Sequence, residues 1–105
     1  MQVIWTDKGL SDLDRLHEFL AHVNRAAAKR VVQTLLKGVA RLSEHPRLGE
    51  KLSNFSHDEE LRRIIIGHYE LRYQLSKKSI YILRIWHTRE QRPLPETMQT
   101  EQISN

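Results

Sequence analysis

The chain has 105 residues, no cysteine and a formal net charge of +4, from 17 Lys and Arg against 13 Asp and Glu. That length suits one domain of the common size of about 100–150 residues, and the lack of cysteine excludes disulfides and thiolate chemistry. The N-terminal segment lacks the apolar run of a secretory leader and no stretch approaches the roughly 18 apolar residues of a membrane span. The expectation is therefore a soluble, cytoplasmic domain whose small basic excess suits an acidic or nucleic-acid partner as well as plain solubility.

Met1 to Trp5 is short, apolar and β-prone, and predicts a strand. Thr6 and Asp7 then offer caps for a helix over Lys8 to Val23. Leu10, Leu13, Leu16, Leu20 and Val23 recur there at steps of three and four, which gives one apolar stripe, and Phe19 widens it. Asn24 interrupts this pattern and caps a second helix that runs to about Glu44. Ala27, Val31, Leu35, Val39 and Leu42 form its inner face, with Ala28, Val32 and Leu36 beside them. The short connection predicts antiparallel neighbours. Gly38 lies inside the second helix and weakens it by about 1 kcal/mol relative to alanine, a position that would allow close helix contact.

His45-Pro46 stops the second helix, because the residue before proline avoids the α conformation and proline cannot donate the helical bond. Pro46 to Asp58 reads as a loop that packs back through Leu48, Leu52 and Phe55. The period then changes from helical to alternating. Leu61 to Ile66 is an isoleucine-rich strand, Gly67-His68 a tight break, and Tyr69 to Leu75 a strand with one apolar and one polar face. Lys77-Lys78 marks a turn into Ser79 to Trp86, which is apolar at nearly every position except Arg84 and reads as an interior strand. Residues 93–105 form a polar tail with no apolar period, expected to be flexible, after a single domain over 1–92. The predicted fold is α+β: an N-terminal strand, an antiparallel helix hairpin and a three-stranded antiparallel meander, with the helices on one face of the sheet.

Three segments give this order a likeness. Arg41-Leu42-Ser43-Glu44-His45-Pro46-Arg47-Leu48-Gly49 supplies an R-L-x-x-x-P-x-x-G run at the end of the second helix. Leu61-Arg62-Arg63 leads through Gly67-His68 into Tyr69-Glu70-Leu71-Arg72-Tyr73. Ile82-Leu83-Arg84-Ile85-Trp86-His87-Thr88-Arg89 closes with H-x-R. Together they resemble the RelE/ParE toxin superfamily, and its ParE-like branch in particular. This chain departs from the common pattern by placing Glu70 where arginine is frequent and an arginine two places later. The resemblance implies the toxin of a type II toxin–antitoxin pair, acting in growth inhibition and plasmid or chromosome maintenance. A cognate antitoxin would neutralise it in a higher-order complex.

Two activities follow from that resemblance. A ParE-like toxin inhibits DNA gyrase by binding and needs no catalytic residue; Lys77, Lys78, Arg89 and Arg92 are the candidates for target contact, and a solvated turn and tail are their plainer explanation. A RelE-like toxin is a ribosome-dependent messenger RNase, for which His87 would supply acid–base chemistry and Arg63, Arg84 and Arg89 would hold phosphate. Adjacent Arg62 and Arg63 point to opposite sheet faces, so only one of them shares a face with Arg84. RelE-like enzymes usually carry a tyrosine near the C-terminus, and after His87 this chain has none; Glu90 is a candidate base there. The gyrase reading is therefore preferred, with an inert interaction module as a third alternative. Phe19, Val32 and Leu36 are candidate antitoxin contacts, and the free edge of a meander is another. The six histidines show no ligand spacing. Neither a metal nor any other cofactor is expected.

Overall fold

A computed structural model describes residues 1–90. Arg92 and the tail over 93–105 lie outside the described residues. The elements run β1 (Gln2–Trp5), α1 (Asp7–Ala21), α2 (Arg25–Glu44), β2 (Glu50–Ser56), β3 (Glu59–Ile66), β4 (Tyr69–Leu75) and β5 (Ser79–His87). The sheet has five strands in the order β1-β5-β4-β3-β2. Strands β2 to β5 are antiparallel neighbours, while β1 pairs in parallel with β5. The α+β class, the helix hairpin and the meander are as the sequence predicts.

One segment differs. Pro46 to Asp58 was expected as a loop, and residues 50–56 instead form the edge strand β2. The ladder explains the misreading. Pairing between β2 and β3 shifts register twice, between Lys51 and Ser53 and between Asn54 and Ser56. Each shift moves the side chains out of strict alternation. Leu52 and Phe55 therefore stand three apart, and the period of two that marks a strand is lost.

Both helix starts follow from their caps. The Thr6 hydroxyl accepts from the Gly9 amide at 3.0 Å, and the Asn24 side chain accepts from the Ala27 amide at 3.0 Å. The α2 helix ends at Glu44 and is capped by His45, just ahead of Pro46. Its inner face is Ala28, Leu35, Gly38, Val39 and Leu42, all buried. Gly38 now has a reason: a β-carbon there would collide with the side chain of Ile66, so glycine lets α2 lie against β3.

The α1 stripe is rotated from its predicted position. Its buried residues are Gly9, Asp12 and Leu16, with Leu13 and Leu20 only partly covered. Leu10 is 46% exposed, Phe19 69% and Val23 84%. The cause is a close approach to β5. A β-carbon on Gly9 would lie 2.5 Å from the carbonyl oxygen of Ile82. The helix is seated through its smallest residue, Asp12 and Leu16, and its other leucines flank that line. The core beneath both helices joins Leu16, Leu35, Val39 and Leu42 to Leu71, Tyr73, Leu75, Ile80, Ile82 and Ile85 of the sheet.

Candidate functional site

The helix-side corner where β5 ends beside α1 holds a cavity of about 490 Å³. Leu16, Phe19, Leu20 and Tyr69 line it with apolar surface, and Arg15, His87, Arg89 and Glu90 with charge and hydrogen-bonding groups. The β4–β5 ladder sets Tyr69 opposite His87. The Tyr69 ring meets His87 edge-on at 5.3 Å, and the His68 ring stacks on His87 at 6.0 Å. Burial raises the Tyr69 hydroxyl above its ordinary value, and the charge of Glu90 adds to the effect. The imidazole Nδ1 of His87 accepts from the Arg89 amide at 3.0 Å, so the neutral ring carries its proton on Nε2. Glu90 accepts from the His87 amide at 3.0 Å and pairs with Arg15 at 3.4 Å.

His87 and Arg89 therefore share this corner, whereas the other arginines of the RNase reading are engaged elsewhere. Arg84 sits at a bulge in β5, where Leu83 is the extra residue between Ile82 and Arg84. Its guanidinium is held by Asp12 of α1, through Nε at 2.8 Å and Nη2 at 3.3 Å. The same carboxylate accepts from the Ile85 amide at 2.8 Å. Arg63 pairs with Glu50 at 3.0 Å and lies 3.9 Å from Glu70. Arg62 donates to the carbonyl of Gly49 at 2.6 Å and to Glu60 at 2.7 Å. It braces the segment between α2 and β2, together with Tyr73, whose hydroxyl donates to Pro46 and accepts from the Gly49 amide.

Across the outer face of the sheet runs a line of groups that single-residue reasoning did not find. Glu50 on β2 holds Arg63 on β3. Glu70 on β4 is fully buried and takes Arg72 at 3.0 Å. The Arg72 guanidinium in turn lies 5.1 Å from the ring centre of Trp86 on β5, a cation–π contact. The one sign of this in the sequence was Glu70 standing where the resemblance expects a cation.

The predicted target contacts do not form one patch. Lys77 and Lys78 are exposed at the turn before β5, and Lys77 pairs with Asp58 at 3.4 Å. Arg89 follows the other end of β5, a strand of nine residues and so about 30 Å long at the usual rise. Of the predicted antitoxin contacts, Phe19 and Leu36 are exposed and Val32 is half-buried. Phe19 lies at the corner cavity on α1, whereas Val32 and Leu36 are on α2. Among the described residues no three His, Asp or Glu side chains are gathered as metal ligands. No helix among them is long and apolar enough to cross a membrane.

One carboxylate gives a pH-dependent contribution to stability. The hydrogen bond from Arg62 holds Glu60 below the ordinary carboxylate value of 4.5, against the opposing effect of burial. A carboxylate depressed in the folded state stabilises the fold above its unfolded value and loses that contribution as pH falls through the folded one. In urea titrations Glu60→Gln should therefore be less stable than the parent at pH 7, with the gap closing as pH drops below about 4. A gap that persists unchanged at pH 2 would contradict this account.

Two helices laid on one face of a five-stranded mixed sheet are the α+β fold of the RelE/ParE superfamily. The sequence pattern of the ParE toxin of the type II toxin–antitoxin system parDE matches residues 3–92, so the chain belongs to that family. Toxin RelE2 of Caulobacter vibrioides is 28% identical over 87 residues, covering 82% of this chain and 93% of the relative. A chain of the chromosomal ParDE toxin–antitoxin system from P. aeruginosa superposes with a TM-score of 0.65 at 23% identity, over 83% of this chain and 95% of that one. A chain of the archaeal RelE–RelB complex from Pyrococcus horikoshii OT3 gives 0.54 at 19% identity, over 85% and 96%.

Proposed function

We propose that this toxin acts by binding DNA gyrase and blocking its cycle, so that cleaved DNA accumulates, and that a cognate antitoxin neutralises it. The observation that carries this reading is where the arginines' charge goes. A metal-free RNase needs unpaired cations to hold phosphate beside its acid and base. Here Arg84 is held by Asp12, Arg63 by Glu50 and Glu70, and Arg72 by Glu70, so that of the arginines of that reading Arg89 alone lines the cavity beside His87. A binding toxin needs no such cations. The family match to parDE supports the same choice. The two solved relatives come from a ParDE system and a RelE–RelB complex, which supports an antitoxin partner. Exposed Phe19 and Leu36, with half-buried Val32, offer apolar surface for it.

One observation favours the RelE-like alternative. The tyrosine that the C-terminal sequence lacks is supplied from β4, where Tyr69 stands against His87. The resemblance to Toxin RelE2 points the same way.

The two readings separate in paired assays with purified toxin. Supercoiling by gyrase is expected to fail, with cleaved DNA accumulating, while messages stay intact in a translation reaction. Folded His87→Ala protein is expected to keep its toxicity. Under the RNase alternative the same change should cut it by about 10²–10⁴-fold. Messages cut while gyrase runs at full activity would overturn the proposal.

A further inference from the structure

The turn over 87–90, which lines the corner cavity, is held in an unusual way. Each of its four backbone amides has an acceptor. His87 donates to the Glu90 carboxylate at 3.0 Å, and Thr88 to the His68 carbonyl at 2.8 Å. Arg89 donates to the His87 imidazole at 3.0 Å, and Glu90 to the His87 carbonyl at 2.9 Å. Two of these acceptors are carbonyls, and one is a carboxylate that also grips Arg15 of α1. The fourth is an imidazole nitrogen, which becomes a donor when the ring takes a second proton. Imidazole is the side chain whose unperturbed titration falls near pH 6.5.

We propose that the 87–90 turn is an acid-released latch in the wall of this cavity, sprung by protonation of His87. The charged ring cannot keep the Arg89 amide, because both then present hydrogens along one line. Its surroundings decide where it goes. Arg15 from α1 and Arg89 repel it, and so does His68, stacked at 6.0 Å from the β3–β4 turn, once that ring is charged. Tyr69 from β4 meets it edge-on and is neutral throughout this range, since burial raises its hydroxyl. Among the described residues Glu90 is the carboxylate lining the cavity. A protonated His87 that turns toward it competes with Arg15 and with the His87 amide for the same two oxygens. The Arg89 amide thereby loses its acceptor and Glu90 loosens its hold on Arg15 and the His87 amide, and both residues line the cavity. The device is independent of the choice between gyrase and messenger RNA as target.

The test uses the full chain, labelled with nitrogen-15, followed by NMR from pH 8 to pH 5. The Arg89 amide and the Arg15 side-chain resonances are expected to move with the same midpoint as the His87 ring. Protection of the Arg89 amide from hydrogen exchange, corrected for the intrinsic pH dependence, should be lost across that range. His87→Asn separates the latch from general acid sensitivity. An asparagine oxygen accepts the amide two residues on, as in an Asx turn, and does not titrate. That variant should hold the Arg89 amide at its pH 8 position down to pH 5. His87→Phe, which keeps a flat ring but offers no acceptor, should show the acid position already at pH 8. In His68→Asn the Arg89 transition should persist. An Arg89 amide that stays still while His87 titrates overturns the proposal. So does a His87→Asn protein whose Arg89 amide shifts as the parent's does.

Discussion

Replacing Asp12 by alanine is expected to remove about 3 kcal/mol of stability, the lower end of the range for breaking a buried ion pair by deleting one partner. Asp12 is 5% exposed and makes three bonds: two to Arg84 and one to the Ile85 amide. It is the bolt between α1 and the bulge of β5, next to the point where Gly9 brings the helix closest to the strand. Alanine leaves the Ile85 amide without its acceptor and Arg84 without its counter-charge. The Arg84 side chain is 19% exposed, so water relieves part of that charge, and the lower end of the range applies. A domain with a total stability of about 5–15 kcal/mol would feel this loss strongly. Urea unfolding at pH 7 measures it, with an unchanged slope showing that the same surface is exposed. Two variants test the cause. Asp12→Asn keeps an acceptor for Ile85 and should lose less than alanine does. Asp12→Ala combined with Arg84→Met should recover part of the loss, because the orphaned charge is gone. A loss below about 1 kcal/mol in Asp12→Ala, as for an exposed pair, would mean that the bolt is not what seats α1.

The order of elements was legible because hydrophobic period and punctuation are local. Thr6, Asn24 and the His45-Pro46 stop each act within one turn of the chain, and Tyr69 to Leu75 alternates within its own length. What was missed depends on partners far away in sequence. The α1 stripe was drawn through leucines because helix period alone cannot show that Gly9 and Asp12 meet Ile82 and Arg84 more than 70 residues on. Arg84 was visible as the one charge in an apolar strand, and that was a signal: a charge in an interior strand needs a partner. Its partner, Asp12, looked like any polar residue of an amphipathic helix. β2 was missed for a different reason, since two register shifts erase the alternation by which strands are read. At the corner, His87, Arg89 and Glu90 were legible as a local cluster. Arg15, Tyr69 and His68 were not, because only the β4–β5 ladder and the seat of α1 bring them there. The arginines were legible as charges, but their pairing was not. Pairing belongs to two residues at once, and a sequence presents them singly.

Glu70→Ala is expected to cost more than Asp12→Ala, in the upper part of the range of about 3–5 kcal/mol for a broken buried pair. Glu70 is 0% exposed, and the Arg72 side chain beside it only 9%, so water relieves little of the charge left behind. Arg63 is 3.9 Å from the same carboxylate and lies across the β3–β4 ladder from Arg72. Removing Glu70 therefore leaves Arg72 without its carboxylate and facing Arg63, which keeps Glu50. Arg72 also lies over Trp86, which makes the change visible: in a Trp5→Phe background the emission of Trp86 should shift as Arg72 moves. The departure from the family pattern gives a sharper test. Glu70→Arg alone should be the worst variant, because it sets a third guanidinium beside Arg63 and Arg72. Adding Arg72→Glu to it exchanges the two charges. The new carboxylate then sits directly across the ladder from Arg63, and most of the loss should be recovered, a coupling that two independent sites would not show. If Glu70→Arg is tolerated without its companion, the line of alternating charge is decoration on the sheet. If only the double exchange folds well, the carboxylate at position 70 and the arginine at position 72 are one substitution in two parts, and the cations of this face serve stability.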